Sequence, residues 1–334
     1  MSRRTAIALV VLATAALIAI PYLATPFFFV QVIIRSLWLG TVAASLTFLI
    51  RYAGMISLAQ TAIYGVAGYV TANFSVVRGV DPWVAAGLGL LTATVLALAI
   101  GAISARARGV YFLMITLAAG VFVYYFALQY RPFTLGFGGI NGVQVPDLGN
   151  IPLRDPENFY YFSAAVSLLA LAILYLYARS PLGLALQGDR DCPERMTALG
   201  LNPIAVRITG FAAAGLVAGM GGVLSVWFNG QVSPGSLDIV RTINILIIAV
   251  LGGATRIEGA WLGAFLMTLL SVYVSDVTAY YNTVIGLVFI AVVVFSPEGA
   301  LGLATRLGKY ARTTLSATAG LRRTTPAITR PKEN

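Results

Sequence analysis

The chain has 334 residues, 59% of them hydrophobic and only 10% charged, with a mean hydropathy of +0.86; soluble domains are about half apolar and about a quarter charged, so a soluble globular fold is excluded. There is no histidine and only one cysteine, Cys192, which removes the commonest general base, the commonest metal ligand and any intrachain disulfide. Catalysis, a cofactor and a metal are therefore not expected, and the net charge of +10 must be explained by where the charges lie.

In chain order, Arg3 and Arg4 precede an apolar run, Thr5–Leu23, that leads directly into another and reads as an uncleaved first span. Further candidate spans are Phe27–Ile50, Ile56–Val77, Trp83–Ser104, Val110–Tyr130, Phe159–Ala178, Ile208–Phe228, Ile239–Leu251, Ala260–Val274 and Tyr281–Phe295. A full crossing takes about 20 residues, so the last three are short; they either extend into polar flanks or are tilted or broken helices at a pathway. The expectation is an all-α polytopic membrane protein of about ten transmembrane helices. The membrane domain is expected over residues 1–304. The basic tail 305–334, rich in Thr and Ala, is expected to lie on the surface or be disordered.

Alternating the spans from an inner N-terminus puts most of the 22 basic residues on one side. Arg51, Arg106, Arg108, Arg179, Arg190, Arg195, Arg207, Arg256 and the tail fall inside. Only Arg78, Arg131, Arg154 and Arg241 fall outside. Such a bias sets orientation, so both termini are expected in the cytoplasm of a bacterial inner membrane. It also accounts for the positive charge through the lipid bilayer and not through nucleic acid.

Two connections stand out. The outer one, 131–158, carries four prolines and the cluster Gly136-Phe-Gly138-Gly139-Ile-Asn141-Gly142, which excludes a regular span and favours a folded lid or partly re-entrant segment. Gly139, Asn141 and Gly142 either present backbone N–H groups to an anionic group or form a plain turn. The inner one, 179–207, concentrates Arg179, Asp189, Arg190, Asp191, Glu194, Arg195 and Arg207 between apolar runs. Within it, Asp191–Leu199 reads as a short amphipathic helix with Asp189 or Asp191 as N-cap, Pro193 in its first turn and Gly200 as its stop, after which Asn202-Pro203 turns the chain back to the bilayer. This stretch is either a docking knob for a partner or a solvated connection.

Within the spans, Gly215…Gly219 and Gly259…Gly263 have G-x-x-x-G spacing, which permits close helix contact, inside one bundle or at a dimer seam. Gln60, Thr61, Thr116, Asn229, Gln231 and Asn244 are placed at membrane depth, as interhelical hydrogen-bond partners or as ligands of a transported solute. Arg35 is the one basic residue inside a span. Either it snorkels to the outer headgroups, or it faces the pathway and meets a carboxylate bidentately. No G-x-x-x-x-G-K-[ST] phosphate loop is present, no span carries a mid-membrane carboxylate and no filter loop is visible. Uphill transport then needs energy from a partner. A stand-alone secondary carrier or facilitator and a structural assembly protein are the competing readings, and both lack support from these features.

At this point the residues carry a resemblance. Arg179-Ser-Pro-Leu-Gly183, Arg190-Asp191, and Glu194 with Ala198-Leu-Gly200 resemble the coupling loop of the branched-chain amino-acid ABC importer permeases, although Arg195 and Met196 replace two alanines. In the same order, Tyr52-Ala-Gly54-Met-Ile-Ser57-Leu58-Ala-Gln60 resembles the family's YAGQxSLGH. Thr116-Leu117-Ala118 and Gly138-Gly139-Ile-Asn-Gly142 are similar to TLAF and TGGxxG. Val250-Leu-Gly-Gly253 and Ser296-Pro297-Glu298-Gly299 resemble two later glycine motifs. The similarity runs over about residues 27–305 and departs at Gln60 for a histidine, at Val121 for a glutamate and at Arg256-Ile-Glu258.

The resemblance implies a type II-like ABC importer permease. It would work with a second homologous permease, two cytoplasmic ATP-binding subunits and a periplasmic substrate-binding protein. ATPase coupling would fall to Gly183, Arg190, Asp191, Glu194, Arg195 and Gly200. The substrate pathway would involve Arg35, Gln60, Thr61, Thr116, Gly139, Asn141, Gly142, Asn229 and Asn244. The implied cargo is a small polar solute, a branched-chain or related amino acid, with urea, amides or aromatic acids as alternatives within the same class.

Overall fold

The computed structural model describes residues 25–149 and 151–277 and a few positions between 283 and 290. The expected first span Thr5–Leu23, most of Tyr281–Phe295 and the basic tail lie outside the described residues.

Most of the apolar helices begin at a proline or a capping side chain, and some of them end at a glycine. Helix α1 is Pro26–Ala53, and α2 is Gln60–Ala72, continued by wide turns over Asn73–Val77. Then follow α3 Pro82–Ser104, α4 Val110–Gln129 and α5 Pro156–Arg179. The short α6 Pro181–Asp191 and α7 Pro193–Ala198 precede α8 Pro203–Asn229, α9 Ile239–Gly252 and α10 Gly259–Val277. Proline stands at the start of α1, α3, α5, α6, α7 and α8, where its missing N–H costs nothing. Asp81 accepts from the N–H groups of Trp83 and Val84 (2.9 and 3.3 Å), and Asn202 from those of Ile204 and Ala205 (3.0 and 3.4 Å). Gly54 (φ 65°) ends α1 and Gly230 (φ 66°) ends α8 in left-handed turns.

Five of these helices are long and apolar enough to cross a membrane, namely α1, α3, α4, α5 and α8. The expected span Ile56–Val77 becomes helical only at Gln60. Residues 55–59 are irregular instead, with Met55, Ser57 and Ala59 buried. The Leu58 N–H there is satisfied by Thr116 Oγ1 on α4 at 3.2 Å, as irregular backbone at membrane depth requires. The short eighth candidate stays short, since α9 has 14 residues or about 21 Å of helix. The ninth gains length at both ends as the 19-residue α10.

Helix α8 is the centre of the bundle and packs against α1, α2 and α3. The apolar stretches of α1 and α8 are 78% and 72% buried, against 22% for α4, whose Tyr111, Met114 and Phe122 face outward. Small residues set this arrangement. On α8, Gly215 and Gly219 lie against Ala97 and Ala93 of α3, Gly221 against Val42 of α1, and Gly222 against the Tyr64 carbonyl of α2. The G-x-x-x-G spacing is thus spent on contacts inside the bundle, where small side chains let backbones approach closely. Gly259 and Gly263 similarly bring α10 onto Gly252 and Ile248 of α9.

The 131–158 connection folds into short pieces, including a helical turn Arg131–Thr134 and strand β1, Ile140–Asn141. β1 pairs antiparallel with β2, Gln231–Val232, in a ribbon, and among the described residues the only other β pairing is an isolated bridge between Leu148 and Ile151. Gln231 is therefore an exposed strand residue and not a polar group within a helix. The ribbon marks one end of the bundle. The other, the basic end, carries Arg51, Arg106, Arg108, Arg179, Arg190, Arg195 and Arg207.

Candidate functional site

At the basic end, α5 turns sharply into α6. Ser180 caps α6 by accepting from the Gly183 N–H at 3.2 Å, and Gly183 sits directly on the Tyr177 carbonyl and the Ala178 backbone, where a side chain has no room. Gln187 Nε2 donates to the Ala178 and Gly183 carbonyls at 2.9 and 3.1 Å. The short helix expected over Asp191–Leu199 is α7, which begins two residues later at Pro193 and is preceded by a second helix, α6. Helix α6 continues to Asp191, the chain extends at Cys192 (φ −155°, ψ 87°), and α7 starts at Pro193 with Cys192 in the N-cap position. Neither aspartate caps it, because both are engaged by arginines. Gly200 does stop α7, with φ 79°, the Leu201 N–H donating to the Met196 carbonyl and the Gly200 N–H to the Thr197 carbonyl.

Asp189 points inward, its side chain only 2% exposed. It accepts from Arg207 Nε at 2.6 Å and Nη2 at 3.2 Å, while Arg207 Nη1 donates to the Ala105 carbonyl at the end of α3 at 2.9 Å. Arg108 approaches Asp189 at 3.9 Å. One residue on, Arg190 donates to the Arg51 carbonyl at the end of α1, covers Gly54 with its stem and pairs with Asp191 at 2.8 Å. That hydrogen bond holds the Asp191 carboxyl below the usual carboxylate range, so the pair is intact at neutral pH and is lost as pH falls through the lowered value. The α6–α7 elbow is thereby bolted to α1 and α8 and, through Arg207, to the end of α3. Its outer surface exposes Glu194, Arg195, Leu184, Leu199 and Leu201.

Toward the ribbon end the structure brings Arg35, Asn229 and Asn244 together. Two adjoining cavities share Arg35, Gly235 and Arg241. The first, about 250 Å³, is also lined by Asp238, Asn244 and Thr268. The second, about 310 Å³, is lined by Trp38, Tyr64, Asn229 and Ser233. Arg35 follows directly on a wide-turned stretch of α1, Phe29–Ile34, and Asp238 caps α9 by accepting from the Ile239 N–H at 2.6 Å. Tyr64 donates to the Ser236 carbonyl at 2.9 Å. The Trp38 indole N–H and the Thr268 hydroxyl are buried without a partner among the described residues.

The remaining pathway candidates lie elsewhere. Gln60 Oε1 accepts from Ser45 at 3.0 Å, deep between α1 and α2, with Thr61 buried beside it. Thr116 holds the irregular 55–59 segment, and Val121 lines a small cleft of about 190 Å³ with Leu58 and Asp238. In the glycine cluster, the Gly139 N–H is already given to the Gly136 carbonyl at 3.1 Å. Gly139 (φ 64°, ψ −167°) lies on the Val232 carbonyl, whereas Gly142 is open and Asn141 exposed. Gly139→Ala is expected to cost about 1–3 kcal/mol through its backbone conformation. It should open the ribbon, read as faster proteolysis within 131–158; unchanged cleavage would dismiss this packing role.

Sequence reading missed the Asp189–Arg207 pair and the cavities that Arg35 and Arg241 both line. The available signal was an acid in an apolar helix face and an arginine opening a span, which names no partner by itself.

The family described as branched-chain amino acid transport system, permease component, matches residues 28–293. LivM of Salmonella typhimurium and of Escherichia coli, each named a high-affinity branched-chain amino acid transport system permease protein, are 25% identical over 280 residues. That match covers 77% of this chain but 66% of theirs, so the chain spans just under two thirds of their length. LivH of Escherichia coli is 26% identical over 82% of this chain and 96% of its own. LsrC of Yersinia pseudotuberculosis, named an autoinducer 2 import system permease protein, is 30% identical over 49% of this chain and 50% of its own. No solved structure matches the chain. The family match runs through the bundle, the elbow and both cavities, and the chain belongs to the permease component family of branched-chain amino acid transport systems.

Proposed function

We propose that this chain is the membrane-spanning permease of an ABC importer of the bacterial inner membrane, with both termini in the cytoplasm. It moves a small polar solute, a branched-chain or related amino acid, and does not hydrolyse ATP itself. A second homologous permease, two ATP-binding subunits and a binding protein complete the system. The observation that carries this reading is the elbow: a charged helix pair with an exposed Leu184, Leu199 and Leu201 surface, joined by side-chain hydrogen bonds to α1 and α8 and, through Arg207, to the end of α3. Such a part can receive motion from a cytoplasmic ATPase and pass it on as rigid-body displacement. The LivM and LivH names support an amino-acid cargo. The LsrC name supports a different polar solute, and competition of uptake by leucine separates the two.

The test is made in proteoliposomes holding the assembled transporter. Glu194→Lys reverses an exposed charge on α7, and Gly200→Pro removes the φ of 79° that ends it. Each is expected to leave the permease in the membrane and to weaken docking by about 2 kcal/mol, roughly thirtyfold. Uptake and ATP hydrolysis would then separate. Wild-type uptake with normal ATPase stimulation in both variants would refute the docking role.

A further inference from the structure

Another cavity, of about 400 Å³, lies at the basic end between the elbow and the start of α4. Three arginines line it: Arg108 from the turn between α3 and α4, Arg190 from α6 and Arg207 from α8. Arg207 is taken up by Asp189, the only carboxylate on the lining, and Arg190 by Asp191 and the Arg51 carbonyl. Arg108 differs. Its side chain is 58% exposed and stands 3.9 Å from an Asp189 oxygen that Arg207 already engages, which is beyond hydrogen-bond distance. The other walls are largely apolar, with Met55 and Ile56 on one side and Val110, Phe112 and Leu113 of α4 on the other. Gly109, in the N-cap position of α4, supplies no capping side chain, so the helix start adds to the preference for an anion. Outward from the cavity, Val110, Tyr111 and Met114 are exposed, and α4 is the least buried of the five long helices. Among the described residues the hydrogen bonds of the elbow reach α1, α5 and α8, and none reaches α4.

We propose that this cavity binds the headgroup phosphate of an anionic phospholipid, with Arg108 as the side chain that closes on it. A guanidinium meets phosphate oxygens with a planar fork of donors, and basic pockets between spans at the membrane surface suit anionic headgroups. The apolar walls decide for a lipid over a soluble phosphate. They run on into the exposed apolar face of α4, where the glycerol and acyl chains would lie, whereas a free anion has no use for them. A bound lipid would join the elbow to α4, the neighbouring span that its own hydrogen bonds do not reach. The site requires only that the bundle sits in a bilayer, and depends on neither the importer reading nor the cargo.

The experiment reads binding without needing transport. The purified full chain is reconstituted in vesicles of phosphatidylcholine alone or of phosphatidylcholine mixed with phosphatidylglycerol. Phenylglyoxal, which modifies arginine, is added, and labelling at each arginine is read by mass spectrometry. Arg106, Arg179 and Arg195 are exposed at the same end but lie outside the cavity, and serve as internal controls. Phosphatidylglycerol is expected to lower labelling of Arg108 about fivefold relative to these three. An equal fall at all four arginines would mean diffuse attraction to an anionic surface, and would overturn the site, as would no fall at Arg108. Glycerol 3-phosphate added to the phosphatidylcholine vesicles tests the soluble source; protection of Arg108 by it would overturn the assignment to a lipid. Native mass spectrometry of the full chain in detergent, titrated with phosphatidylglycerol, gives a second readout. Arg108→Gln should weaken the first bound lipid about fivefold, while Arg106→Gln binds as wild type. Arg108 has no hydrogen bond to lose within the fold, and an unchanged thermal transition in phosphatidylcholine checks this. Equal lipid affinity in wild type and Arg108→Gln would overturn the proposal.

Discussion

Asp189→Asn is expected to destabilise the protein by about 3–5 kcal/mol, because it leaves the Arg207 guanidinium buried without its counter-charge. Arg207 is 8% exposed and its remaining hydrogen bond goes to the Ala105 carbonyl, which does not neutralise it. Urea or thermal inactivation of the lipid-reconstituted protein measures the loss. The double variant Asp189→Leu with Arg207→Met removes both charges, and well-packed apolar replacements of a buried pair are often neutral. It should recover most of the stability. Uptake is expected to stay low in the double variant, since α6 then loses the directional tie to α3 and α8 that makes the elbow a lever. Recovery of both stability and uptake would reduce the pair to a packing element, and unchanged stability in Asp189→Asn would refute its burial.

Gly222→Val should damage the membrane core severely. A Cβ at this position collides with the Tyr64 carbonyl oxygen and comes within 3.0 Å of the Ala67 Cβ. The obstacle is backbone, so relief requires α8 and α2 to separate, and overpacking of a tight core costs about 1–3 kcal/mol or more. Lower yield of folded protein and an earlier thermal transition are expected. Gly87→Ala is the matched control, since nothing lies within 4 Å of an added Cβ on this outward face of α3; it should behave as wild type. Equal tolerance of both substitutions would show that α8 does not sit as close to α2 as described.

Much of the fold was legible because a membrane makes local signals strong. Every backbone polar group must be satisfied within the bilayer, so a long apolar run becomes a helix with few alternatives. Phe27–Ile50, Val110–Tyr130 and Phe159–Ala178 accordingly reappear as Pro26–Ala53, Val110–Gln129 and Pro156–Arg179. Punctuation was legible for the same reason where it was chemical, as at Gly200 and Asn202-Pro203. It failed where two signals conflicted. Asp189 and Asp191 read as caps because aspartate caps helices, yet here both lie within α6 and pair with arginines, and the break falls at Cys192.

The sequence alone determined that this protein is a helical membrane chain with one charged elbow and a basic side, because hydropathy, proline, glycine and charge act over a few residues. Only the tertiary structure decided which charges meet. Asp189 and Arg207 are 18 residues apart and lie on different helices. Arg35 and Arg241 sit on α1 and α9, and share a cavity only because the whole bundle, with its glycine contacts around α8, folds as it does. A side chain's partner across a bundle depends on helix approach, crossing and rotation. Those are fixed by packing of many small residues at once, and no local window of the sequence contains them.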